Sequence, residues 1–283
     1  MISEMSENKM TGVRKEEAVK KIKETLEVLD VVITDTMAEQ FLQYYDLFCE
    51  KNQVMNLSAI TGFEDVLEKH FLDSLSLVIA MPELKNYSGA GDVKPHSSSL
   101  PAGGPKTKGC SLLDLGTGAG FPGIPLKIVF PELDIVLADS LNKRLLFLEE
   151  VIETCHLEQI RTVHGRAEDL GKRGSEMREH FDIVVSRAVA NLSSLSEYCL
   201  PFVKKGGCFV SYKSGSAMEE IENARYAINI LGGSIEKECS FTLPGTDLNR
   251  TLVVIRKNRE TPGKFPRKAG TPVKQPLTLQ IGK

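Results

Sequence analysis

The 283-residue sequence predicts an α/β protein with a doubly wound, mostly parallel seven-stranded sheet that ends in an antiparallel hairpin. From residue 110 onward, short apolar runs rich in β-branched residues alternate with segments of helical periodicity, and this order builds βαβ units. After the last helical segment, two apolar runs face each other across the letters PGTDLN. A turn of this kind joins antiparallel strands rather than another crossover.

Seven runs fit strands, and helices fit the segments between them. The predicted strands are CSLLDL, DIVLAD, IRTVHG, FDIVVS, GGCFVSYK, SIEKECSFTL and RTLVVIRK. Helices are predicted near residues 122–130, 142–155, 192–203 and 216–231. Crossovers of this type place ligand sites at the carboxyl ends of the parallel strands, so we look for functional residues there.

The N-terminal region, residues 1–85, is predicted to be helical. Apolar residues recur at helical spacing over residues 14–29, 35–51 and from 62 onward. Thr36 with Glu39, and Thr61 with Glu64, match the capping-box spacing at the second and third helix starts. Residues 86–109 are rich in Gly, Ser and Pro and have no periodic apolar face, so we predict a flexible insertion there.

Composition and charge exclude several classes of function. A net charge of -3 argues against nucleic-acid binding by the whole protein surface, although binding by a local basic patch remains a possibility. The six Cys are scattered without C-x-x-C or metal-ligand spacing, which favours reduced thiols and no metal site. The N-terminus lacks a signal-peptide pattern, and the apolar runs are too short to span a bilayer. We therefore expect a cytoplasmic protein.

The letters GAGFPG after the first strand match the dinucleotide fingerprint G-x-G-x-x-G. The strand, however, ends in Asp114, which gives the longer unit D-L-G-T-G-A-G. A carboxylate there repels a pyrophosphate and attracts the ammonium of an amino-acid-bearing cofactor such as S-adenosylmethionine. Gly116 and Gly118 permit close backbone approach. The pattern favours S-adenosylmethionine, with NAD as the weaker alternative.

Polar residues also follow the next two strands. Asp139 and Ser140 end the second strand, where a carboxylate suits the ribose hydroxyls of either cofactor. Ala167 and Glu168 follow the third strand, where a backbone amide and a carboxylate could contact adenine. Each acid taken alone fits a helix cap or a solvated side chain equally well. Together, one after each of three strands, they favour a cofactor site.

The sequence resembles a known family. The resemblance lies in the stretches DLGTGAGFPGIPLKIVFPELDIVLADSLNKRLLFLE, GRAED, VVSRAVANLSSLSE, LVVIRK and FPRKAGTPVKQPL, with MNLSAIT and KHFLDS upstream. They are similar to the small-subunit ribosomal RNA guanine-N7 methyltransferase G family, also called glucose-inhibited division protein B. The resemblance covers nearly the whole chain except the first dozen residues and the 86–109 insertion, which the family pattern mostly lacks.

The resemblance implies a class I methyltransferase fold over residues 110–258, with S-adenosylmethionine as methyl donor. It implies N7 of guanine 527 in 16S rRNA as acceptor, in free rRNA or in a small-subunit assembly intermediate, with no DNA or membrane partner. We expect a monomer. Because N7 carries a lone pair and no proton, we expect direct in-line transfer without a general base or other catalytic side chain. By the same matching, cofactor contacts fall on Gly116, Phe121, Ala167, Glu168 and Arg187.

Basic residues are the candidates for RNA contact. From Arg256 to Lys283 eight basic residues stand against one acid, and residues 259–283 are predicted to form a basic tail. Phe265 lies among these cations and could stack on an RNA base. The alternatives are a solvated tail and, for Arg187, a surface ion pair. The predicted substrate contacts are Arg187, Lys213, Lys264, Arg267 and Lys268.

Two other functions remain open at this point. A methyltransferase of small molecules would have no use for the basic tail, so trimming after Arg259 should leave its turnover intact. A non-catalytic RNA-binding module could keep the cofactor fold for its shape alone. In that case, replacing Asp114 with Ala should leave RNA affinity unchanged.

Overall fold

The computed structural model describes residues 12–88, 109–188 and 190–278. Within them, seven strands form one sheet in the order β3-β2-β1-β4-β5-β7-β6. β1 to β5 pair in parallel, and β7 is antiparallel to both of its neighbours, which confirms the predicted fold class and its final hairpin. The strands are β1 Ser111–Leu115, β2 Asp134–Asp139, β3 Ile160–His164, β4 Phe181–Ser186, β5 Val203–Ser214, β6 Gly233–Thr242 and β7 Asn249–Lys257.

The N-terminal region is helical, as predicted. Its α-helical segments are α1 Gly12–Leu26, α2 Asp35–Met55, α3 Phe63–Val66, α4 Asp73–Leu75 and α5 Leu77–Ala80. A π-helical turn, Leu67–Leu72, joins α3 to α4, and no sequence pattern predicted it. The remaining helices are α6 Gly123–Val129, α7 Asn142–Thr154, α8 Ala167–Leu170, α9 Leu192–Cys199, α10 Met218–Ile230 and α11 Thr271–Lys274.

Both predicted capping boxes are wrong in detail. The hydroxyl that caps α2 belongs to Thr34, which has an extended backbone and accepts from the Met37 amide at 3.2 Å. Thr36 lies inside the helix, where its side chain cannot reach an unpaired first-turn amide. α3 follows Gly62 without a side-chain cap. The two-residue error arises because Thr occurs on both sides of the helix start.

Each face of the sheet has its own hydrophobic core. Alternate residues of β1 illustrate the division, since Leu112 belongs to one core and Leu113 to the other. The N-terminal helices, α6 and α7 cover the first face, and Phe41, Phe71 and Ile135 share its core. α9 and α10 cover the second face. The N-terminal helices therefore pack on the sheet itself.

The start of the predicted 86–109 insertion differs from the structure. A 3-10 turn, Pro82–Tyr87, includes the first two residues of the predicted insertion, whereas residues 89–108 lie outside the described part. At the other end of the methyltransferase region, β7 ends at Lys257, as the predicted strand RTLVVIRK does. Residues 259–278, called the C-terminal segment below, pack against α9 through α11. No helix in the described ranges is long and apolar enough to cross a membrane.

Candidate functional site

A cleft of about 450 Å³ runs along the carboxyl ends of β1 to β4. This is the edge at which the sheet topology predicts a ligand site. Five of the residues predicted to bind the cofactor line it together: Gly116, Asp139, Ser140, Ala167 and Glu168. Leu195 and Tyr198 of α9 form part of the opposite wall.

The glycine turn presents bare backbone to open space. Gly116 and Gly118 have φ values of +75° and +61°, which side chains rarely adopt. A Cβ atom at either position would meet nothing within 4 Å. The Gly116 amide donates to the Ala138 carbonyl at 2.8 Å and so ties the turn to the end of β2. A ligand can therefore approach this backbone directly, and a side chain would occupy its place.

Asp114 braces the glycine turn from inside the protein. It is fully buried, and its Oδ2 accepts from Thr117 Oγ1 at 2.7 Å and from the Gly123 amide at 2.9 Å. Its buried Oδ1 has no hydrogen-bond partner among the described residues. Burial raises the pKa of this carboxyl to about 6, although both hydrogen bonds favour the charged form. The predicted contact between Asp114 and a ligand ammonium stays a prediction.

Asp139 holds the same turn from β2. Its Oδ2 accepts from the Gly118 amide at 3.0 Å and from Arg144 Nη1 at 3.3 Å, while its Oδ1 accepts from the Leu141 amide at 2.9 Å. A carboxylate offers about four acceptor positions, so about one remains for a ligand hydroxyl. This geometry fits the predicted ribose contact, which stays a prediction.

Three more of the predicted cofactor residues line the cleft beyond β2 and β3: Ser140, Ala167 and Glu168. Ala167 and Glu168 begin the one-turn helix α8 after β3. Glu168 Oε1 accepts from the Gly270 amide at 3.0 Å, so this part of the cleft touches the C-terminal segment. Burial and the nearby Glu168 carboxylate raise the pKa of Tyr198 to about 12, and its hydroxyl stays protonated. Ser140 is exposed, and its carbonyl lies 3.1 Å from His164 Nε2.

Arg187 follows β4 and is held by a buried acid. Its Nη1 donates to Asp73 Oδ2 at 3.0 Å and to the Lys69 carbonyl at 3.2 Å. The other oxygen of Asp73 accepts from Arg250 Nε at 2.6 Å. Asp73 is only 4% exposed, so one buried carboxylate joins two arginines from different strands. The predicted surface ion pair is thus a largely buried one.

His70 completes this cluster beside the glycine turn. Its ring stacks on Phe121 with 4.5 Å between centroids, and the Arg187 guanidinium lies 5.1 Å from the same Phe121 ring. His70 Nδ1 lies 3.1 Å from the Lys69 carbonyl and 3.3 Å from Arg187 Nη2. Nε2 lies 3.0 Å from Ser58 Oγ. Burial, with the Arg187 charge, lowers the pKa of His70 to about 4, so the ring is neutral.

Sequence reasoning missed His70, Asp73 and Arg250. The stretch KHFLDS carries part of the family resemblance, but no pattern attaches a role to its His or Asp. The contact of Asp73 with Arg187 spans 114 positions, and that with Arg250 spans 177. Residues this far apart leave no spacing signal in a single sequence.

The other predicted substrate cations fall into two groups. Lys213 Nζ donates to Glu220 at 2.7 Å and is 10% exposed. The guanidinium of Arg267 donates three hydrogen bonds to the carboxylate of Glu197, which has no exposed surface. Lys264 and Lys268 are exposed, whereas the Phe265 ring between them is 4% exposed. The prediction that Phe265 stacks on a base is wrong, since its ring packs in the second core.

Comparison with known proteins shows the family. A family model described as "rRNA small subunit methyltransferase G" matches residues 103–244. The chain belongs to this family. Named members include the Ribosomal RNA small subunit methyltransferase G of Lachnoclostridium phytofermentans, 52% identical over 84% of this chain and 89% of that protein. The protein of the same name from Acetivibrio thermocellus is 48% identical over 88% of this chain and 92% of that protein.

Membership in the methyltransferase G family confirms the resemblance and identifies the chain as a methyltransferase. Among solved structures, TrmN from Thermus thermophilus superposes with a TM-score of 0.43 at 16% identity, over 68% of this chain and 53% of that one. The class I methyltransferase fold therefore rests on the sheet order and the family match rather than on that superposition.

Proposed function

We propose that this protein transfers a methyl group from S-adenosylmethionine to N7 of a guanine in 16S rRNA, with guanine 527 as the target expected for the family. The observation that carries the proposal is the bare glycine turn opening on the cleft, with Asp139 and Glu168 on the same edge. The family match supports the methyl transfer and the rRNA substrate.

The cleft fits S-adenosylmethionine group by group. Its volume of about 450 Å³ lies within the range of roughly 300–1,000 Å³ typical of small-molecule sites. The bare backbone at Gly116 and Gly118 suits the methionine part. Asp114, whose Oδ1 is buried behind the cleft lining and has no partner among the described residues, is the proposed partner of its ammonium. The remaining acceptor position of Asp139 suits a ribose hydroxyl. Glu168 and Tyr198 bound the end proposed for adenine.

The chemistry asks little of the side chains beyond positioning. When bound, the cofactor supplies an electrophilic methyl group. Guanine N7 has a lone pair and no proton, so no residue must accept a proton during transfer. Holding the two reactants in line and excluding water is worth up to roughly 7–11 kcal/mol. His70 supports this view, because both of its ring nitrogens already have protein partners: Lys69 and Arg187 at Nδ1, and Ser58 at Nε2.

Arg187 is the cation best placed to orient the guanine. Asp73 and the Lys69 carbonyl accept from its Nη1, and its Nη2 lies 3.3 Å from His70 Nδ1, so part of the five N–H groups of the guanidinium is already engaged. An arginine that gripped O6 and N7 together would cover the lone pair that reacts. We therefore infer that Arg187 contacts O6 alone, a phosphate, or the cofactor. Lys213 is held similarly by Glu220 and would act at the same edge.

The proposed setting is the cytoplasm, with the protein acting as a monomer on free 16S rRNA or on a small-subunit assembly intermediate. Neither DNA nor a membrane is a partner in this proposal. Lys264 and Lys268 expose their side chains on the C-terminal segment and would contact RNA phosphates. Arg267 is occupied by Glu197, so we assign it to holding this segment in place for that contact.

The deciding experiment is mass spectrometry of 16S rRNA incubated with the protein and isotopically labelled S-adenosylmethionine. We expect one labelled N7-methylguanine, confirmed by borohydride and aniline cleavage at that site. The control is Gly118→Val, which places a branched side chain in the open space of the turn at a positive φ. Label in a small molecule only, or at a base position other than N7, would refute the proposal.

A further inference from the structure

The C-terminal segment is anchored firmly where it leaves β7. Arg178 donates to the Thr261 carbonyl at 2.7 Å and to the Phe265 carbonyl at 2.8 Å. Lys257, which is 1% exposed, donates to Thr261 Oγ1 at 2.8 Å. The buried Phe265 ring adds an apolar anchor. This part of the segment is therefore fixed to the body of the protein.

A second anchor lies on α9. The backbone amide of Arg267 donates to Glu197 Oε1 at 2.8 Å, and its guanidinium contacts both oxygens of the same carboxylate. Glu197 is fully buried, so this pair holds the segment by charge-assisted hydrogen bonds shielded from water. Further along, Ser194 Oγ donates to the Pro272 carbonyl at 2.8 Å.

α9 thereby separates the segment from the cleft. Ser194 and Glu197 contact the segment, whereas Leu195 and Tyr198 of the same helix line the cleft. Among the described hydrogen bonds, one connects the two sides directly: the Gly270 amide donates to Glu168 Oε1 at 3.0 Å. Glu168 thus both lines the cleft and holds the segment.

We propose that the C-terminal segment is a positioning element of the cofactor site, acting through the Gly270 amide on the Glu168 carboxylate. This inference rests on the proposed function, in which Glu168 contacts the adenosine end of the cofactor. A free glutamate side chain must lose its rotamer freedom when it binds a ligand. The Gly270 hydrogen bond fixes Oε1 beforehand, which strengthens binding by preorganisation.

The test uses the full-length chain and titrates S-adenosylhomocysteine into it by calorimetry. Gly270 has a φ of +77° with open space at its Cβ position, so Gly270→Val displaces the backbone amide without a direct clash. We expect about tenfold weaker binding, the size of one charge-assisted hydrogen bond. Gly270→Asn should retain the affinity, because Asn tolerates a left-handed backbone.

The matched control is Gly245→Val. Gly245 lies in the β6–β7 turn with a φ of +78° and the same open space, so the substitution imposes equal backbone strain away from α8 and α9. Wild-type affinity in this variant is the expected result. A loss equal to that of Gly270→Val would show a general response to strain and would overturn the proposal.

A double-mutant cycle separates positioning from general stabilisation. If Gly270 acts through Glu168, then Gly270→Val should weaken binding little further in a Glu168→Ala background. A full additional loss there would overturn the inference. Unchanged affinity in Gly270→Val alone would overturn it and leave the proposed function standing, whereas a wild-type protein that binds no S-adenosylhomocysteine would overturn both.

Discussion

The acids and the cations near the cleft edge have different kinds of hydrogen-bond partner. The carboxylate side consists of Asp114, Asp139 and Glu168, and these acids accept hydrogen bonds from backbone amides of glycine positions. The cation side consists of Arg187 and Lys213, and these bases donate to acids from other elements: Asp73 and Glu220. Arg267, across α9 from the cleft, is held in the same way by Glu197. The first side shapes the loops at the cleft, and the second fixes cations by pairing them with acids.

The largest effect is expected on the cation side, from Asp73→Asn. This change leaves Arg187 and Arg250 without their buried counter-charge, and breaking a buried pair costs about 3 kcal/mol or more. Urea denaturation should show this loss. Glu236→Gln removes the partly exposed partner of Arg256 on the same sheet and should cost less than about 1 kcal/mol. Equal losses of unfolding free energy in the two variants would contradict the expected difference between a buried and a partly exposed ion pair.

His70 makes the cation side sensitive to acid. Its folded pKa of about 4 lies below the usual value of 6.5, so the unfolded chain binds more protons between these values and stability falls as the pH drops through them. The expected loss of unfolding free energy between pH 8 and pH 5 is about 2 kcal/mol. Urea denaturation at both pH values should show a smaller difference in His70→Gln; an identical difference would refute this role.

On the carboxylate side we expect Asp139→Asn to act on ligand binding. The amide keeps an oxygen for one partner, but it loses the charge that holds the Gly118 amide and attracts a ribose hydroxyl. Affinity for S-adenosylhomocysteine should fall about tenfold, or about 1.4 kcal/mol. Asp134→Asn, at the exposed start of the same strand, is the control and should bind normally. Weakening in both variants would point to the strand rather than the site.

The smallest effect is expected from the two exposed lysines of the C-terminal segment. Replacing Lys264 and Lys268 together by Ala should reduce the salt dependence of RNA affinity. The slope of log association constant against log salt concentration should become shallower by about 0.7 for each phosphate that the variant no longer neutralises. Filter binding at several salt concentrations measures this slope. The same change at Lys20 and Lys21, exposed on α1, should leave it unaltered. An unchanged slope in the first variant would mean that the segment does not bind RNA phosphates.

The fold was predictable from sequence because alternating strands and helices leave a local signal in every window. The glycine turn was predictable for the same reason, since Asp114 and the Gly123 amide that it holds are nine positions apart. The partners of the cations were not, because Asp73 and Glu197 lie 114 and 70 positions from the arginines they hold.

Composition was the least reliable guide at the C-terminus. A run of cations with few acids predicts a solvated tail, yet Arg267 finds its counter-charge on α9 and Phe265 lies in the core. Trimming after Arg259 would orphan the buried Glu197 carboxylate, at a cost of several kcal/mol. Trimming therefore does not separate a small-molecule substrate from RNA, whereas the Lys264 and Lys268 substitutions do.

The hydrogen bond between Gly270 and Glu168 has a consequence for synthesis of the chain. Asp73 comes before the first strand in the sequence and Gly270 comes after the last one, so the cleft region depends on residues from both ends of the chain. A growing chain can pair β1 to β4 while its last residues are still inside the ribosome, but Glu168 gains its partner only after they emerge. Full affinity for the cofactor would then be reached only in a finished molecule, and a chain that ends before Gly270 would bind it more weakly.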